Sequence, residues 1–229
     1  MKEIYKELEI NYEINYANFS KKLVPNIEQK LMCGIRIPKA KNIAKKYVNT
    51  KQGKEFLNTL NLVNLDEKNV YGLMLGYIKN EQEMYDYLVK FLPQIDNWLT
   101  CDITVSNLKI IKKYPQKYKK MAFYWLNNEN FYIKRFAVVV LLNYFLDNNF
   151  EQTDLYTLAK IDTNDYYFNM SLAWYFSVAM VKQYNATINI LKTHQIVNKF
   201  VHNKTIQKCC ESYRVNKDIK QQLKMLKIV

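Results

Sequence analysis

The scarcity of turn-forming residues constrains the fold of this chain more than any other feature of its sequence. Only 4 Gly and 4 Pro occur in 229 residues, whereas a β-sandwich or barrel needs turn residues about every 8–12 positions. Hydrophobic residues make up 49% of the chain, which is enough for a packed core. The composition therefore predicts an all-α protein whose helices are joined by short polar loops.

Hydrophobic periodicity of the helical kind runs through the whole chain. Two long runs, Phe131–Asp147 and Tyr166–Lys182, are apolar almost all round, which predicts helices buried between neighbours. Asn97, Asn130 and Asp165 occupy predicted N-cap positions. Shorter amphipathic helices are predicted over Ile43–Val48, Glu55–Val63, Val70–Ile78, Glu83–Phe91, Pro115–Leu126, Thr153–Ile161 and Ile219–Ile228.

A weak internal repeat appears when the chain is displaced against itself by about 35 residues. The segments that begin at Asp96, Phe131, Tyr166 and Val201 then align, and each opens a long helix after a polar linker. Repeats of this length with two helices each are typical of HEAT-like and TPR-like solenoids. No linker marks an internal boundary, so residues 1–229 are predicted to form a single helical-repeat domain.

The charge of the chain is strongly positive and unevenly distributed. The formal net charge is +13, and lysines cluster in Pro38–Lys54, Lys109–Lys120 and 190–229. Solvated helix faces explain any one cluster, but three clusters with the acids concentrated elsewhere favour one basic surface. A polyanion is the natural partner of such a surface. An anionic membrane is the competing partner, and no lipidation motif supports it.

Cysteine, histidine and glycine usage narrows the chemistry. The four cysteines form no C-x-x-C pair, the two histidines have no metal-site spacing, and phosphate-binding glycine loops are missing. No apolar run reaches the length of about 18 residues that a membrane helix requires. We therefore predict a cytoplasmic protein with no membrane contact, no metal and no cofactor, and any catalysis must rest on carboxylates, aromatic rings and cations.

The segment Asp96-Asn-Trp-Leu-Thr-Cys-Asp102 fits that kind of chemistry. Trp98 and Asp102 are four residues apart, so they share one face of a helix that begins near Asn97. A carboxylate beside an indole ring stabilises a developing cation through charge and the ring quadrupole. A core tryptophan with a solvent-facing aspartate is the alternative, and the spacing alone favours that alternative.

Two further side chains stand out in the apolar helices. Arg135, one of only three arginines, lies near the start of a buried helix and must reach a polar partner. A DNA phosphate suits its bidentate guanidinium, and a carboxylate on a neighbouring helix suits it equally well. Trp174 is by default a core residue, and only its position in the repeat singles it out.

Five segments together resemble the AlkD-type DNA alkylation repair proteins, which are alkylpurine DNA glycosylases built from HEAT-like repeats. The resemblance covers nearly the whole chain, and its order and separations are more specific than any one motif. The segments are Cys33-Gly-Ile-Arg-Ile-Pro38, Asp96-Asn-Trp-Leu-Thr-Cys-Asp102, Ile133-Lys-Arg135-Phe-Ala-Val-Val, Tyr166-Tyr-Phe-Asn-Met-Ser-Leu-Ala-Trp174 and Asn203-Lys-Thr-Ile-Gln-Lys-Cys-Cys-Glu-Ser212.

The resemblance implies a C-shaped array with duplex DNA in a basic concave groove. It assigns the catalytic carboxylate to Asp102 and the active-site tryptophans to Trp98 and Trp174. It assigns a phosphate contact to Arg135 and places Arg36 near the DNA backbone; Lys134 and Lys204, within the matching segments, are predicted to bind DNA as well. Leu99, where some members carry an acid, and Ser177, where some carry an arginine, depart from the pattern.

The leading hypothesis is a monomeric glycosylase that hydrolyses the N-glycosidic bond of positively charged N3- or N7-alkylated purines in duplex DNA. Asp102 would stabilise the oxocarbenium ion and position water. A non-catalytic repeat module that binds damaged or branched DNA is the second hypothesis. A protein–protein scaffold is the third, and it leaves the lysine clusters without a role.

Overall fold

A computed structural model describes residues 2–59 and 61–228 of the chain. These residues form fourteen α-helices and no β-strand, so the all-α prediction is confirmed. The helices are α1 (Lys2–Ile10), α2 (Ile14–Leu23), α3 (Ile37–Tyr47), α4 (Lys51–Leu57), α5 (Leu65–Leu75), α6 (Glu81–Phe91), α7 (Trp98–Asn107), α8 (Pro115–Trp125), α9 (Phe131–Tyr144), α10 (Gln152–Ala159), α11 (Tyr166–Lys182), α12 (Tyr184–Lys192), α13 (Lys199–Glu211) and α14 (Lys217–Met225).

A regular series of helix caps reveals the repeat. In each of five helices, α5, α7, α9, α11 and α13, the N-cap side chain accepts a hydrogen bond from a backbone N–H in the first turn. The caps are Asn64, Asn97, Asn130, Asp165 and Asn198. Subtracting these numbers gives intervals of 33, 33, 35 and 33 residues, which confirms the helical-repeat prediction and its three predicted caps.

The phase of the predicted repeat needs correction. The helices themselves begin at Trp98, Phe131, Tyr166 and Lys199, so the aligned positions Asp96 and Val201 are each two residues out of register. The repeat also starts one unit earlier, at α5, where Asn64 and Glu67 form a complete capping box. Sequence identity between repeats is too low to fix the register, whereas the capping side chain marks it directly.

The chain divides into two compact units, Met1–Tyr114 and Pro115–Val229. In the first unit α3 packs on α5 and α5 packs on α7, with α1, α4 and α6 against this row. In the second unit α9 packs on α11 and α11 packs on α13, with α8, α10, α12 and α14 around them. Each unit therefore contains a row of three helices that pack side by side, α3, α5 and α7 in the first and α9, α11 and α13 in the second. We call these the inner helices; the other helices pack around them. The single domain over residues 1–229 stays a prediction.

Predicted helix bounds agree best where a helix is buried and capped. The helix predicted over 166–182 is confirmed to the residue, and the one predicted over 131–147 ends three residues early because Phe145 leaves the helical region. The helix predicted over 55–63 is wrong at both ends. Its start lies at Lys51 because the Thr50 hydroxyl caps it by accepting from the Gly53 N–H, and its last helical residue is Leu57.

Close backbone approach joins α5 to α7 in the first unit. A Cβ atom on Gly72 of α5 would lie 1.9 Å from Oγ1 of Thr104 on α7. A hydrogen bond of 2.7 Å from the Thr100 hydroxyl to the Asn69 side chain ties the same two helices together. The position of α7 on its neighbour is therefore set by a glycine and a buried polar pair. Among the described residues, no helix has the length and apolar character needed to cross a membrane.

Candidate active site

The start of α7 presents Trp98 and Asp102 on the same side of the helix. Asn97 is fully buried, and its side chain accepts from the Thr100 N–H at 2.9 Å and donates to Asp96 Oδ1 at 3.0 Å. Trp98 is the first residue of the helix and Asp102 lies one turn later, so their side chains are neighbours on one face. Both residues are partly buried, and the predicted helix start is confirmed.

Contacts with α2 and the segment after it hold the Trp98 ring in place. The indole Nε1–H donates to the carbonyl oxygen of Leu23, 75 residues away in the chain, at 3.0 Å. The ring packs with Leu99 against a buried cluster formed by Ala17, Val24, Ile27, Met32 and Leu65. Trp98 therefore forms a fixed aromatic wall beside Asp102. Leu99, one of the two departures from the family pattern, contributes to this packing.

Buried Asp66 organises the segment that carries Arg36. Its carboxylate accepts three backbone hydrogen bonds, from the N–H groups of Cys33 (2.7 Å), Gly34 (3.1 Å) and Ile35 (2.7 Å). Burial raises the pKa of Asp66, and the three N–H donors oppose that rise. Sequence reasoning did not identify Asp66, because a single acid in an apolar helix carries no motif.

The backbone of the segment 33–36 requires a glycine at position 34. Its φ is +84°, in the left-handed region, and a Cβ atom there would lie 2.3 Å from the Glu13 carbonyl oxygen. The next charged residue, Arg36, is exposed; its Nε lies 2.9 Å from Glu13 Oε2 and its guanidinium lies 4.9 Å from the centre of the Tyr16 ring. Contact of Arg36 with DNA stays a prediction and would compete with the Glu13 ion pair.

Arg135 in the second unit is more deeply buried than the sequence suggested. Only 6% of the residue is exposed, and its Nη1 donates to the carbonyl oxygen of Tyr167 at 2.7 Å. This bond links α9 to the first turn of α11. Because so little of the residue is exposed, a DNA phosphate has little access to it, and that contact stays a prediction. The neighbouring Lys134 lies with its Nζ 5.5 Å from the centre of the Phe131 ring.

Trp174 lines an open groove of about 300 Å³ between α11 and α13. Lys208, Glu211 and Arg214 contribute charged side chains to the same groove. Ser177, the second departure from the family pattern, donates from its hydroxyl to the Trp174 carbonyl oxygen at 2.8 Å. The groove sets an indole ring beside two cationic groups, which is the chemistry needed to bind a sugar and its phosphates.

Lys208 is a cation that sequence reasoning missed. Burial lowers its pKa, Glu211 opposes that effect, and the charges of Lys204 and Arg135 lower the pKa further. Because like charges gather around this lysine, an anion would relieve their mutual repulsion. Lys204 itself donates to Gln207 Oε1 at 2.8 Å and lies 5.7 Å from the centre of the Phe200 ring.

The predicted site residues fall into two groups within the two units. Arg36, Trp98 and Asp102 belong to the first unit, whereas Lys134, Arg135, Trp174 and Lys204 belong to the second. Each group combines an aromatic ring with charged side chains. Over residues 2–59 and 61–228, no cluster of three or more His, Cys, Asp or Glu side chains is arranged to hold a metal ion.

Comparison with known families identifies one match. The sequence model of a family described as DNA alkylation repair enzyme matches residues 4–208, which is most of the 229-residue chain. The matched region ends within α13 and includes every predicted site residue. Searches among curated proteins and among solved structures found no match.

Proposed function

The chain belongs to the DNA alkylation repair enzyme family, and we propose that it is a glycosylase that removes positively charged N3- or N7-alkylated purines from duplex DNA. Family membership makes it a DNA repair protein. The glycosylase reaction, the alkylated substrate and the residue roles below go beyond that membership. The observation that carries the proposal is the pairing of Trp98 and Asp102 on one face of α7.

The chemistry follows from the charge of the damaged base. Alkylation at N3 or N7 makes the purine cationic, so the electron pair of the C1′–N bond leaves readily with the base. The deoxyribose then develops oxocarbenium character at C1′. Water adds its oxygen to C1′ and loses a proton, which leaves an abasic sugar and the free base. The leaving group needs little protonation, which fits a site built from carboxylate and aromatic groups.

In this mechanism Asp102 provides the negative charge that the oxocarbenium ion requires. Its carboxylate also orients the attacking water. The fixed Trp98 ring contributes cation–π attraction and excludes bulk solvent from that side of the sugar. Preorganised electrostatic groups of this kind are commonly worth about 3–4 kcal/mol each, because they need no rearrangement as charge develops.

The roles of the other predicted site residues are taken from the family resemblance. We propose that Trp174 contacts the deoxyribose and that Arg135, Arg36, Lys134 and Lys204 bind phosphates. The groove beside Trp174 supports this proposal, since Lys208 and Arg214 bring further positive charge to it. We also propose double-stranded DNA as the partner, a monomeric state and a cytoplasmic location.

A base-release assay tests the proposal. The purified protein is incubated with duplex DNA that carries N7-methylguanine, and the free base is measured by chromatography. We expect release by the wild type and a loss of roughly 100- to 1000-fold in Asp102→Asn, which keeps the shape of the side chain and removes its charge. Asp218→Asn, an exposed change on α14, is the matched control. Absence of release by the wild type, or equal release by Asp102→Asn, would overturn the proposal.

One observation favours a second candidate, a repair module that binds DNA without cutting it. The polar ends of Trp98 and Arg135 both donate to backbone carbonyl groups of the fold. Such bonds suit structural roles as well as catalytic ones. This candidate predicts salt-dependent duplex binding with no base release, and binding that is the same for wild type and Asp102→Asn.

A further inference from the structure

A continuous row of aromatic rings crosses the N-terminal ends of α9, α11 and α13 in the second unit. The ring centres of Tyr132 and Tyr167 are 6.0 Å apart, those of Tyr167 and Tyr166 are 5.3 Å apart, and those of Tyr166 and Phe200 are 5.9 Å apart. Phe131 occupies the first position of α9, as Tyr166 does in α11. We name these five residues the aromatic strip.

The strip is open to solvent in its most prominent members. Tyr166 is 56% exposed, Phe131 is 42% exposed and Phe200 is 38% exposed. Single exposed aromatic residues are ordinary, whereas a large contiguous apolar patch marks a binding surface, and here the exposed rings of Tyr166 and Phe200 adjoin each other. The rings meet edge-on or tilted, at interplanar angles of 31°, 80° and 56°, rather than as a closed face-to-face stack.

Lysines accompany the aromatic strip along its length. Lys134 lies over Phe131 with Nζ 5.5 Å from the ring centre, and Lys204 lies over Phe200 at 5.7 Å. A groove of about 480 Å³ adjoins the Phe200 end, and it is lined by Lys199, Phe200, Asn203, Lys204, Gln207 and Lys227. These described lining residues include three lysines and no carboxylate.

Two of the three carboxylates closest to the strip in sequence are engaged in the fold, and the third, Glu129, is exposed two residues before Phe131. Two of them precede Tyr166: Asp165 caps α11 by accepting from the Phe168 N–H at 2.6 Å, and Asp162 accepts from the Asn198 amide at 2.6 Å. The strip and its groove thus combine exposed ring surfaces with positive charge. The complementary ligand has flat apolar faces on a negatively charged backbone.

We propose that the aromatic strip binds single-stranded DNA, with unstacked bases on the rings and phosphates at Lys134, Lys199, Lys204 and Lys227. Alternating stacking and phosphate neutralisation is how sequence-tolerant single-strand binding surfaces work. Double-stranded DNA fits this surface less well, because its bases are stacked on one another and offer no free faces. This binding requires no base excision, although Lys134 and Lys204 are also proposed phosphate contacts of the duplex, and it would hold an unpaired stretch at a lesion or a branch.

Fluorescence anisotropy with a labelled oligothymidylate of about 12 nucleotides tests the proposal. We expect Tyr166→Ala and Phe200→Ala each to weaken binding by roughly 10-fold. Tyr124→Ala on α8 is the matched control, since Tyr124 is 69% exposed and lies outside the strip; its affinity is expected to equal that of the wild type. Circular dichroism confirms that each variant is folded.

A second oligomer separates stacking from charge. A strand of equal length built from abasic sugar phosphates keeps the negative charges and lacks the bases, so the wild type should bind it roughly 10-fold or more weakly than oligothymidylate. Replacing Lys134 or Lys204 with Gln should reduce the slope of log K against log salt concentration by about 0.7 each. Equal affinity for the two strands would overturn the proposal.

Analytical ultracentrifugation decides whether the strip binds single-stranded DNA or a second copy of the protein. If the strip joins two copies of the protein instead, Tyr166→Ala changes the sedimentation behaviour and the wild type does not bind the oligomer, which overturns the proposal. Base release from N7-methylguanine duplex is measured separately on the same variants. A failure of single-strand binding would therefore overturn only the proposal for the strip. A failure of base release would overturn only the proposed glycosylase activity.

Discussion

The first residues of α7 and α11 are equivalent in the repeat and differ in what surrounds them. Each follows a side chain that caps its helix, Asn97 or Asp165, and each is aromatic. Trp98 is partly buried, with its N–H bonded to Leu23. Tyr166 is 56% exposed and contacts the rings of Tyr167 and Phe200. The same helix position thus holds a packed ring in the first unit and an accessible ring in the second. The reason is that α2 and the buried cluster around Val24 pack against α7.

Replacing Gly34 with Ala should loosen the packing of α2 against Trp98. The Trp98 ring would then become more accessible, as the Tyr166 ring is. The alanine would require a left-handed φ and would meet the Glu13 carbonyl, so α2 must shift. We expect a loss of about 3 kcal/mol in the free energy of unfolding, measured by urea denaturation. Lys22→Ala, an exposed change on α2, should stay within about 0.5 kcal/mol of the wild type. Unchanged stability of Gly34→Ala would show that α2 is not held as described.

Replacing each of the two aromatic side chains with Phe tests the comparison directly. Trp98→Phe removes the exposed N–H bond to Leu23 and part of the ring that packs on the buried cluster, which together should cost about 1–3 kcal/mol in unfolding free energy. Tyr166→Phe removes a hydroxyl from an exposed ring and should change stability by less than about 0.5 kcal/mol. Thermal denaturation of both variants measures the difference. Equal losses would mean that the two positions do not differ as the contacts indicate.

A buried histidine extends the comparison from α7 and α11 to α13. The fourth position of α7 is Cys101 and that of α13 is His202, and both are fully buried. Burial lowers the pKa of His202, and His194 adds to this. The unfolded chain therefore binds a proton more readily, so the stability contribution is present above about pH 6.5 and is lost as the pH falls below it.

Urea denaturation between pH 7 and pH 5 measures this dependence. The slope from His202 cannot exceed about 1.4 kcal/mol per pH unit. His202→Gln should remove that slope, whereas His194→Gln, at an exposed position, should retain most of it. A slope that survives in His202→Gln would assign the dependence to other groups.

The features predicted from the sequence are those that depend on neighbours in the chain. Scarce turn residues and helical periodicity predicted the all-α repeat, and the caps Asn97, Asn130 and Asp165 followed from local hydrogen bonding. The family resemblance, confirmed by the match over residues 4–208, also rests on short segments at set separations.

The features that were missed depend on contacts between distant residues. Backbone atoms carry no sequence signal, since any residue supplies them. The carbonyl of Leu23, which accepts from Trp98, and the three N–H groups bonded to Asp66 are of this kind. The groove cation Lys208 is one lysine among many and becomes distinctive only through its burial beside Arg135 and Lys204. The aromatic strip arises in the same way, from residues whose proximity the repeat creates.

The regular spacing of the capped helices has a consequence for how the chain acquires its structure. Five of these helices, α5, α7, α9, α11 and α13, carry their own capping side chain, and within each unit successive helices of the row begin 28 to 35 residues apart. Low sequence separation between partners reduces the loop-closure entropy of docking and favours fast folding. During synthesis, which runs from the N-terminus, α7 can dock on α5 before α9 has been made. The repeat therefore allows each row to grow by one helix pair at a time as the chain is made.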